Sequence, residues 1–400
     1  MDLKSGTPFW PIRNGLIAAY PALKEDIRCD VAIIGGGISS ALVAYHLAEA
    51  GVDTVAIEQR DIAYGSTSAS TSLLQYEVDT HLYELIDMIG EHDAVRSYQV
   101  CLEALVKLER LIGKLDNDCD YERKNSLYIA SRRRDASSIK KEYEARRKYG
   151  FNLDLLDKRD IAERFSFSAP AALLSYNAAQ VDVYKLTHAL FRAATGMGAR
   201  IFDRTEMTRW EHVDGGVALI TDRGCRITAR KIVFATGYES QRYIKRKVGQ
   251  LKNTYALASE PLEEFTGWQD GCLIWETARP YFYMRTTADG RAIIGGEDDT
   301  FNSPVKRDAS VTRKSEKLAK KFRSMFPEID LEVAYAWGGT FGETKDGLAY
   351  IGAVDEFPDA FFVFGYGGNG VTYSMIAGEL VRDLFLERPN PDTALFRFDR

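Results

Sequence analysis

The first strong pattern along the chain is a buried strand that gives way to a helix. Residues 31–34 form an unbroken apolar run, and three glycines at 35–37 follow it directly. β-Branched residues in such a run, closed by glycines, are typical of a strand buried on both faces of a parallel sheet. Apolar positions then recur at helical spacing over 38–48, and a second apolar run, 54–57, ends at Glu58. The pattern predicts a strand, a turn, a helix and a second strand.

The glycine turn and the terminal acid complete this unit as a dinucleotide-binding fingerprint. Gly35 supplies the tight turn, and Gly37 lets the backbone approach a pyrophosphate, which the free N–H groups of the next helix then face. Glu58 is placed to accept hydrogen bonds from an adenosine ribose. The third glycine of the fingerprint is replaced by Ser40, which is small enough for close packing of the helix on the strand. We predict a nucleotide site here; the alternative is a glycine turn in an α/β fold that binds no nucleotide.

A run of small hydroxyl residues at 65–74 comes shortly after the second strand. Such a run is often a flexible linker. Here it follows the fingerprint on the side where a bound dinucleotide continues beyond its pyrophosphate. Small residues at that place let backbone amides touch a flavin ring, while the hydroxyls can bond ribityl and phosphate oxygens. The run therefore favours FAD over a nicotinamide cofactor.

A second glycine pattern, formed by Gly365, Gly367 and Gly370, separates an apolar run at 361–364 from a helical pattern at 371–386. No further strand that ends in an acid follows it, so it does not make a second dinucleotide fingerprint. We predict instead a turn that brings a helix N-terminus to the pyrimidine end of a flavin. The positive end of the helix dipole would stabilise the charge of the reduced ring there. Without an NAD(P)H site, the electrons would come from the organic substrate.

Composition changes this picture in a few respects. The chain has 400 residues, more than one hydrophobic core usually organises, so two domains are expected. A net charge of −6 argues against a nucleic-acid partner, and the sequence shows no signal-peptide pattern or membrane-spanning run. The five cysteines and five histidines are scattered without metal-ligand spacing. We expect a cytoplasmic protein with no metal, nucleic-acid or membrane partner, and its oligomeric state is not predicted.

Two regions outside the fingerprint predict further elements. Residues 98–115 place apolar side chains at helical spacing from Val100 to Ile112, which indicates an amphipathic helix. Residues 217–300 are rich in β-branched and aromatic residues, with glycine and Asp-Gly turns between them. This composition is typical of an antiparallel sheet.

Short motifs follow one another in a specific order over nearly the whole chain. They are Pro8-Phe9-Trp10, Cys29-Asp30-Val31 with the glycine turn, 65–74, Asp182-Val183-Tyr184-Lys185-Leu186, 232–237, Tyr283-Met284-Arg285, 289–296, Thr344-Lys345-Asp346-Gly347 and 365–372. Each is weak alone. Together they resemble the D-amino-acid oxidase superfamily, in the branch that contains glycine oxidase, sarcosine oxidase and γ-glutamylputrescine oxidase.

The resemblance implies an α/β fold with a Rossmann-like FAD-binding domain and an α+β substrate domain that has a mostly antiparallel sheet. The FAD-binding domain would comprise 1–90, 175–249 and 345–400, and the substrate domain 91–174 and 250–344. The implied enzyme is an FAD-dependent amine or amino-acid oxidase or dehydrogenase that oxidises a C–N bond by hydride transfer to flavin. Two alternatives stay open: an FAD-dependent dehydrogenase of a 2-hydroxy acid (C–OH), and a flavin-binding protein without independent catalysis.

The resemblance also implies noncovalent FAD, because the cysteine that tethers flavin in sarcosine oxidase has no counterpart near Gly338 and Gly339. The residues expected to bind FAD are Gly35, Gly37, Ile38, Ser39, Glu58, Gln59, Arg60, Ser66, Thr67, Ser68, Thr71, Ser72, Leu73, Met207, Thr236, Gly237, Gly367, Gly368, Asn369, Gly370, Val371 and Thr372.

Arg285 and Tyr283 are expected on the substrate side of the site. Arg285 matches the arginine that binds a substrate carboxylate in enzymes similar to glycine oxidase, and a bidentate guanidinium suits that task. The alternative is an arginine on the surface of a strand. Tyr283 and Tyr281 either line the cavity or pack within the sheet.

Two departures from the family pattern restrict the implied substrate. Phe341 stands where amino-acid-oxidising relatives often carry an arginine, and Gln75, like Thr372, stands where sarcosine oxidases carry basic residues. The implied site is therefore less cationic than a sarcosine site. It leaves room for a larger amine, such as an acylated polyamine, or for an unusual amino acid.

Overall fold

The computed structural model of the chain describes residues 2–5, 8–301, 303–364 and 366–400. Its strands are β1 (Ile27–Ile34), β2 (Thr54–Ile57), β3 (Leu73–Leu74), β4 (Glu122–Ile129), β5 (Leu153–Asp157), β6 (Ala171–Gln180), β7 (Arg200–Phe202), β8 (Met207–Val213), β9 (Gly216–Thr221), β10 (Arg226–Phe234), β11 (Gln250–Ser259), β12 (Leu273–Glu276), β13 (Phe282–Thr286), β14 (Ala292–Asp299), β15 (Val333–Glu343), β16 (Tyr350–Val354) and β17 (Phe357–Phe364). Its helices are α1 (Phe9–Asn14), α2 (Ile38–Glu49), α3 (Ser66–Ala69), α4 (Leu82–Ile89), α5 (Glu91–Ile112), α6 (Ala136–Lys148), α7 (Lys158–Arg164), α8 (Val183–Gly196), α9 (Pro304–Met325), α10 (Gly370–Phe385) and α11 (Thr393–Phe396). Short 3₁₀ helices span Arg133–Asp135, Gly237–Arg242 and Gln269–Gly271.

The first of two sheets has the order β16-β17-β10-β1-β2-β7, and β9 and β8 extend it from β10. Neighbouring strands from β17 to β7 run parallel, whereas β16 pairs antiparallel with β17. Strand β1 lies between β10 and β2, so its backbone is paired on both edges. A central parallel strand is buried on both faces as well, which explains the unbroken apolar run. The predicted strand, turn, helix and strand are confirmed as β1, α2 and β2.

Helix α2 is buried nearly all round, with eleven of its twelve residues buried. It contacts both α8 and α10. A Cβ atom at Gly378 of α10 would lie 2.9 Å from the backbone oxygen of Leu42 in α2, so the two helices approach too closely for a larger residue. Ser40 is fully buried on the same helix. Close packing at the third position of the fingerprint is therefore kept with a serine.

The second sheet has the order β15-β11-β14-β13-β12-β4-β6-β3, with β5 paired to β6. Its pairings within the described residues are antiparallel except for that of β12 with β4. Helix α9 packs on β11, β14 and β15, and Leu318 and Phe322 bury its apolar stripe in a core with Tyr255 and Leu257. The opposite face of β11–β15 is thereby free to turn toward the first sheet.

The fold class expected from the sequence is confirmed: a Rossmann-like α/β domain joined to an α+β domain with a mostly antiparallel sheet. Three element predictions are corrected. The helix expected at 98–115 is α5, which starts after Gly90 (φ 88°) and ends before Gly113. The region 217–300 is not one antiparallel sheet, because β10 lies in the parallel sheet between β1 and β17. The hydroxyl-rich run at 65–74 forms α3 and β3 rather than a continuous loop.

The predicted domain limits divide the strands nearly as the two sheets do. Every strand of the first sheet falls within the ranges predicted for the FAD-binding domain. The second sheet, however, also takes β3 from those ranges, and β6 crosses the predicted limit at 174. The limits themselves stay a prediction. Among the helices of the described residues, none is long and apolar enough to cross a membrane.

Candidate active site

A cavity of about 2200 Å³, including its open mouth, lies between the two sheets. Most of its lining comes from residues at or after the carboxyl ends of β1, β2, β10 and β17, and a smaller part comes from β11–β15. In open parallel sheets, ligands bind in the crevice beyond the carboxyl ends of the strands. The fold therefore gathers the glycine turns and the aromatic strands of the chain around one cavity.

The turn after β1 brings the N-terminus of α2 to this cavity. Gly35 has a φ of +122°, and a Cβ atom there would lie 2.3 Å from the backbone oxygen of Ala235, so only glycine fits. Helix α2 begins at Ile38, directly after Gly37, which has no side chain to cap it. Thr67 accepts a hydrogen bond from the Ile38 N–H at 3.0 Å. The positively polarised end of α2 thus faces the cavity, where it favours an anion.

Glu58 is fixed at the end of β2 by backbone groups. Its Oε2 accepts from the Gly36 N–H at 2.8 Å, and its Oε1 accepts from the Arg60 N–H at 2.9 Å. Burial raises the pKa of Glu58 above its usual value, although these bonds and the Arg60 charge oppose the shift. Arg60 lies 3.8 Å from Glu239, which also pairs with Arg242 at 3.4 Å. The basic residues of the described lining, Arg60 and Arg242, are therefore both paired with acids at this end of the cavity.

A second helix N-terminus, that of α10, faces the same cavity. Helix α10 begins at Gly370, and the side chain of Asn369 does not cap it. The Asn369 Nδ2 instead donates to the backbone oxygen of Glu77 at 2.5 Å, while the Gly368 N–H donates to the Oδ2 of Asp79 at 2.9 Å. Residues 77–79 therefore position the turn that directs α10 toward the cavity.

The structure brings most of the residues expected to bind FAD into the cavity lining. They are Gly35, Gly37, Ile38, Ser39, Glu58, Gln59, Arg60, Ser66, Thr67, Thr71, Ser72, Leu73, Met207, Thr236, Gly237, Gly367, Gly368, Asn369, Gly370 and Val371. Gly365, the first glycine of the predicted turn, lies outside the described residues.

Ser68 and Thr372 are not in the lining, in contrast to the expectation. The Ser68 hydroxyl donates to the backbone oxygens of Tyr64 and Gly65, because the run folds into the short helix α3 and turns this side chain back on its own turn. The Thr372 hydroxyl donates to the backbone oxygen of Gln75 at 3.1 Å. Both hydroxyls stabilise the local backbone instead of reaching the cavity.

Aromatic side chains of the second sheet form the opposite wall. Tyr281, Tyr283 and Phe341 line the cavity together with Trp275. Trp275 stacks on Tyr128 with ring centroids 3.8 Å apart. Burial raises the pKa of Tyr283 to about 12, so its hydroxyl keeps its proton at neutral pH. We refer to Trp275, Tyr281, Tyr283 and Phe341 as the aromatic wall.

Gln75 is joined to this wall through a shared hydroxyl. The Gln75 Nε2 donates to the Ser126 Oγ at 2.9 Å, and the Trp275 Nε1 donates to the same oxygen at 3.0 Å. Both side chains line the cavity. The bonds set the orientation of the neutral Gln75 amide in the cavity.

Arg285 is not brought into the cavity. It is 1% exposed, and its Nη1 donates to the backbone oxygens of Ser72 at 2.8 Å and Val181 at 2.9 Å. Burial lowers the pKa of Arg285 to about 9. Tyr283 and Arg285 lie two positions apart on β13 and share a face, but the hydroxyl-rich run covers the arginine. The expected carboxylate-binding role is therefore corrected to a structural one, in which Arg285 binds the backbone around Ser72.

Sequence reasoning missed Thr254, Trp275 and Asp298, which β11, β12 and β14 contribute to the cavity lining. Asp298 was hidden in the acidic run 297–299, since such runs are usually solvated. Alternation along β14 was the available signal, because successive strand residues point to opposite faces. Burial raises the pKa of Asp298 to about 6. We refer to the part of the cavity lined by β11–β15 as the substrate half. It contains a carboxylate and, among its described lining residues, no basic side chain.

Comparison with known proteins shows the family to which this chain belongs. The model of the family described as FAD dependent oxidoreductase matches residues 30–384, and the chain belongs to that family. It is 26% identical to gamma-glutamylputrescine oxidoreductase of Escherichia coli, over 92% of this chain and 86% of the relative. It is also 26% identical to glycine oxidase of Bacillus licheniformis, over 90% and 94% of the two chains. The solved glycine oxidase of Geobacillus kaustophilus has a TM-score of 0.77 at 22% identity, covering 93% of this chain and 99% of its own.

The protein is therefore an FAD-dependent oxidoreductase, and the cavity fits that cofactor. Two helix N-termini and a glycine turn that excludes side chains suit a pyrophosphate and a flavin. The buried Oγ of Ser66 in the lining has no protein partner among the described residues, as expected for a hydroxyl that binds a ligand. In the same part of the chain, no cluster of His, Cys, Asp or Glu side chains could bind a metal ion.

Proposed function

We propose that this enzyme oxidises a C–N bond of an amine or amino acid by hydride transfer to FAD. Bound FAD supplies a two-electron acceptor for the hydride. Glycine oxidase and gamma-glutamylputrescine oxidoreductase, both similar to this chain, have an amino acid and an amine derivative in their names. The observation that carries the proposal is the substrate half of the cavity, which combines the aromatic wall with Asp298 and, among its described lining residues, contains no basic side chain.

The cofactor site is assigned in the same proposal. The pyrophosphate would lie at the N-terminus of α2 beside Gly35 and Gly37, and the adenosine ribose would bind Glu58. The flavin ring would lie between the hydroxyl-rich run and the N-terminus of α10, whose dipole stabilises negative charge on the ring. We also propose that FAD is noncovalent, because no cysteine or histidine is among the described lining residues.

Hydride transfer from an amine needs little acid–base chemistry from the protein. The neutral amine loses a hydride from its α carbon, and the nitrogen lone pair forms the C=N bond of an iminium ion. Water then hydrolyses that ion to a carbonyl compound and a smaller amine or ammonia. The aromatic wall would orient the α C–H bond and exclude water before transfer.

The same features disfavour a substrate with a free carboxylate, so they count against a 2-hydroxy acid and, within the proposed class, favour an amine over an amino acid. A carboxylate needs a cationic partner when it is buried. Arg60 and Arg242 are paired at the Glu58 end of the cavity, and Arg285 is covered by backbone carbonyls. The unpaired Asp298 would moreover repel the carboxylate.

Anaerobic reduction of the flavin tests the proposal. The purified holoenzyme is mixed with panels of amines, amino acids and 2-hydroxy acids, and the flavin absorbance near its visible maximum is followed. Bleaching by amines or amino acids supports the proposal. Bleaching by hydroxy acids alone overturns it in favour of the C–OH alternative, and no bleaching by any panel favours a flavin-binding protein without independent catalysis.

Denaturation in acid tests the noncovalent assignment. We expect the yellow colour to stay in the supernatant after the protein precipitates. Colour that remains with the washed precipitate contradicts the assignment, and the absorbance of both fractions measures the partition.

A further inference from the structure

The acidic run Glu297, Asp298 and Asp299 at the end of β14 is divided between two faces of the sheet. The ladder between β11 and β14 shifts register here, and Glu297 adopts a φ of 55°. Lys314 of α9 lies 3.5 Å from Glu297 and 2.8 Å from Asp299, so both outer carboxylates are paired. Asp298 lines the cavity instead. The local backbone thus directs one carboxylate of three to the substrate half.

Asp298 has no cationic partner within the described residues. It forms no ion pair there, and its Oδ1 is buried without a hydrogen-bond partner. Arg279 and Lys252 act on Asp298 electrostatically but form no ion pair with it among the described residues: Lys252 pairs with Glu343, and Arg279 lies over the ring of Tyr281. The residue as a whole is half-buried, but a carboxylate oxygen that is buried without a partner is costly for the protein unless a ligand completes it.

The surroundings of Asp298 suit a cation. Aromatic rings attract positive charge through their quadrupoles, and Tyr281 of the aromatic wall already has the Arg279 guanidinium over its ring. Trp275, in the same wall, lines the cavity. Asp79, another carboxylate of the lining, accepts a hydrogen bond from Gly368 and is occupied by it. Among the described residues that β11–β15 contribute to the lining, Asp298 is therefore the carboxylate with an oxygen available to bind a ligand.

We propose that Asp298 binds a positively charged nitrogen of the substrate other than the one oxidised. The substrate class is then an amine with a second cationic group, and amino acids with a free carboxylate are excluded. This inference rests on the proposed function, because it takes the cavity as the site of amine oxidation. The reacting nitrogen has to be neutral for hydride transfer, so the cation recognised by Asp298 is a separate group.

Probes of equal length that differ only in their second end test this proposal. They are n-butylamine, 1,4-diaminobutane and 4-aminobutanoate, with the three- and five-carbon series added to allow for chain length. Binding to the holoenzyme is measured anaerobically from the concentration dependence of the flavin spectral change. This change is a perturbation for a bound but unoxidised probe and bleaching for an oxidised one.

We expect the diamine to bind at least about tenfold more tightly than the monoamine in one of the series, since tenfold corresponds to roughly 1.4 kcal/mol. We expect the amino acid of the same length to bind more weakly than either. Asp298→Asn and Asp298→Ser should both abolish the advantage of the diamine. Asp299→Asn, the matched control next to it, should keep that advantage.

Three results overturn the inference: tightest binding of the amino acid, equal binding of monoamine and diamine, or an unchanged preference in both Asp298 variants. These results are distinct from failure of the proposed function. If no amine bleaches the flavin but the diamine still perturbs its spectrum selectively and through Asp298, the recognition site stands while amine oxidation fails. Flavin content and thermal unfolding of each variant verify that it is folded.

The pH dependence gives a second readout. Because the pKa of Asp298 is raised to about 6 by burial, the diamine advantage should grow as pH rises through that value. The preference of Asp298→Asn should be flat over the same range. A wild-type preference that does not change between pH 5 and pH 7, within roughly one pKa unit on each side, contradicts the assignment of the carboxylate.

Discussion

The two halves of the cavity are built from different parts of the polypeptide. The nucleotide half uses backbone groups of glycine turns and helix N-termini, and its charged side chains, such as Glu58 and Arg60, are hydrogen-bonded or paired. The substrate half uses side chains from five strands, and Asp298 forms no ion pair within the described residues. The difference teaches that the charged side chains of the first half are satisfied by other groups of the protein, whereas the proposed substrate cation would satisfy Asp298 in the second half.

The largest expected effect comes from closing the nucleotide half. Gly35→Ala should lower the FAD content of the purified protein by about tenfold or more, because the new Cβ atom would collide with the backbone oxygen of Ala235 at 2.3 Å. Gly90→Ala is the control, since Gly90 also has a positive φ of +88° but no neighbour within 4 Å. The ratio of flavin to protein absorbance measures both. A Gly35→Ala protein with its full content of FAD would contradict the proposal that backbone groups at this turn bind the cofactor.

The next largest effect, on protein stability, should come from a buried ion pair that includes Glu77, in the segment 77–79 that positions the turn before α10. Arg146 is fully buried and pairs with Glu142 at 2.6 Å and Glu77 at 3.4 Å. Arg146→Met leaves two buried carboxylates without their cation and should lower the free energy of unfolding by about 3–5 kcal/mol. Denaturant unfolding measures this. Arg147→Met, on the exposed side of the same helix, should stay within about 0.5 kcal/mol of wild type.

The pair of Arg146 and Glu142 also makes the free energy of unfolding depend on pH. Burial alone would raise the pKa of Glu142, but Arg146, His81 and the Leu82 N–H outweigh it and lower the pKa below its usual value. A carboxyl whose pKa is lowered by folding stabilises the protein above its unfolded pKa and loses that contribution as pH falls through the folded value. The stability gap between wild type and Arg146→Met should therefore narrow in acid. A gap that widens below about pH 4 contradicts the assignment.

In the substrate half, a substitution that removes a charge should stabilise the protein, in contrast to Arg146→Met. Asp298→Asn should raise the free energy of unfolding at pH 7 by about 1–3 kcal/mol, since burial raises the pKa of the native carboxyl to about 6. A pKa raised by folding means that stability is full below the unfolded pKa and is lost as pH rises, so the gap should open between about pH 4 and pH 6. Asp299→Asn should instead destabilise, because it breaks the pair with Lys314. Thermal unfolding across this range compares the three proteins.

The smallest expected effect lies at the departure from the fingerprint. Ser40 is fully buried and its hydroxyl has no partner in the described part of the chain. Ser40→Ala should therefore keep FAD binding and change the free energy of unfolding by no more than about 1 kcal/mol. Ser39→Ala should cost more, since Ser39 and Ser374 join α2 to α10 through a 2.8 Å hydrogen bond. Loss of FAD in Ser40→Ala would show that the serine does more than fill space.

The nucleotide half could be predicted from local patterns. Gly35, Gly37 and Glu58 belong to one strand, turn, helix and strand, so their mutual placement follows from the short connections between those elements. Most residues of the hydroxyl-rich run lie in the cavity lining, but the direction of the Ser68 side chain could not be predicted, because part of the run folds into α3.

The substrate half could not be predicted in the same way. Thr254, Trp275 and Asp298 come from strands whose neighbours are set by the sheet order, and no local pattern states that order. Arg285 shows the limit most clearly. Its strand and face were predictable, but the cover provided by Ser72 and Val181 depends on contacts more than one hundred residues away in the chain.

The sequence by itself determined the nucleotide-binding unit, the fold class and FAD as the cofactor, because short-range geometry and backbone chemistry specify them. The tertiary structure alone decided which side chains face the substrate. It buried Arg285 under backbone carbonyls and directed Asp298 into the cavity while its two neighbours pair with Lys314. The physical reason is that successive side chains of a strand point to opposite faces of the sheet, and packing between residues distant in the sequence determines what lies against each face.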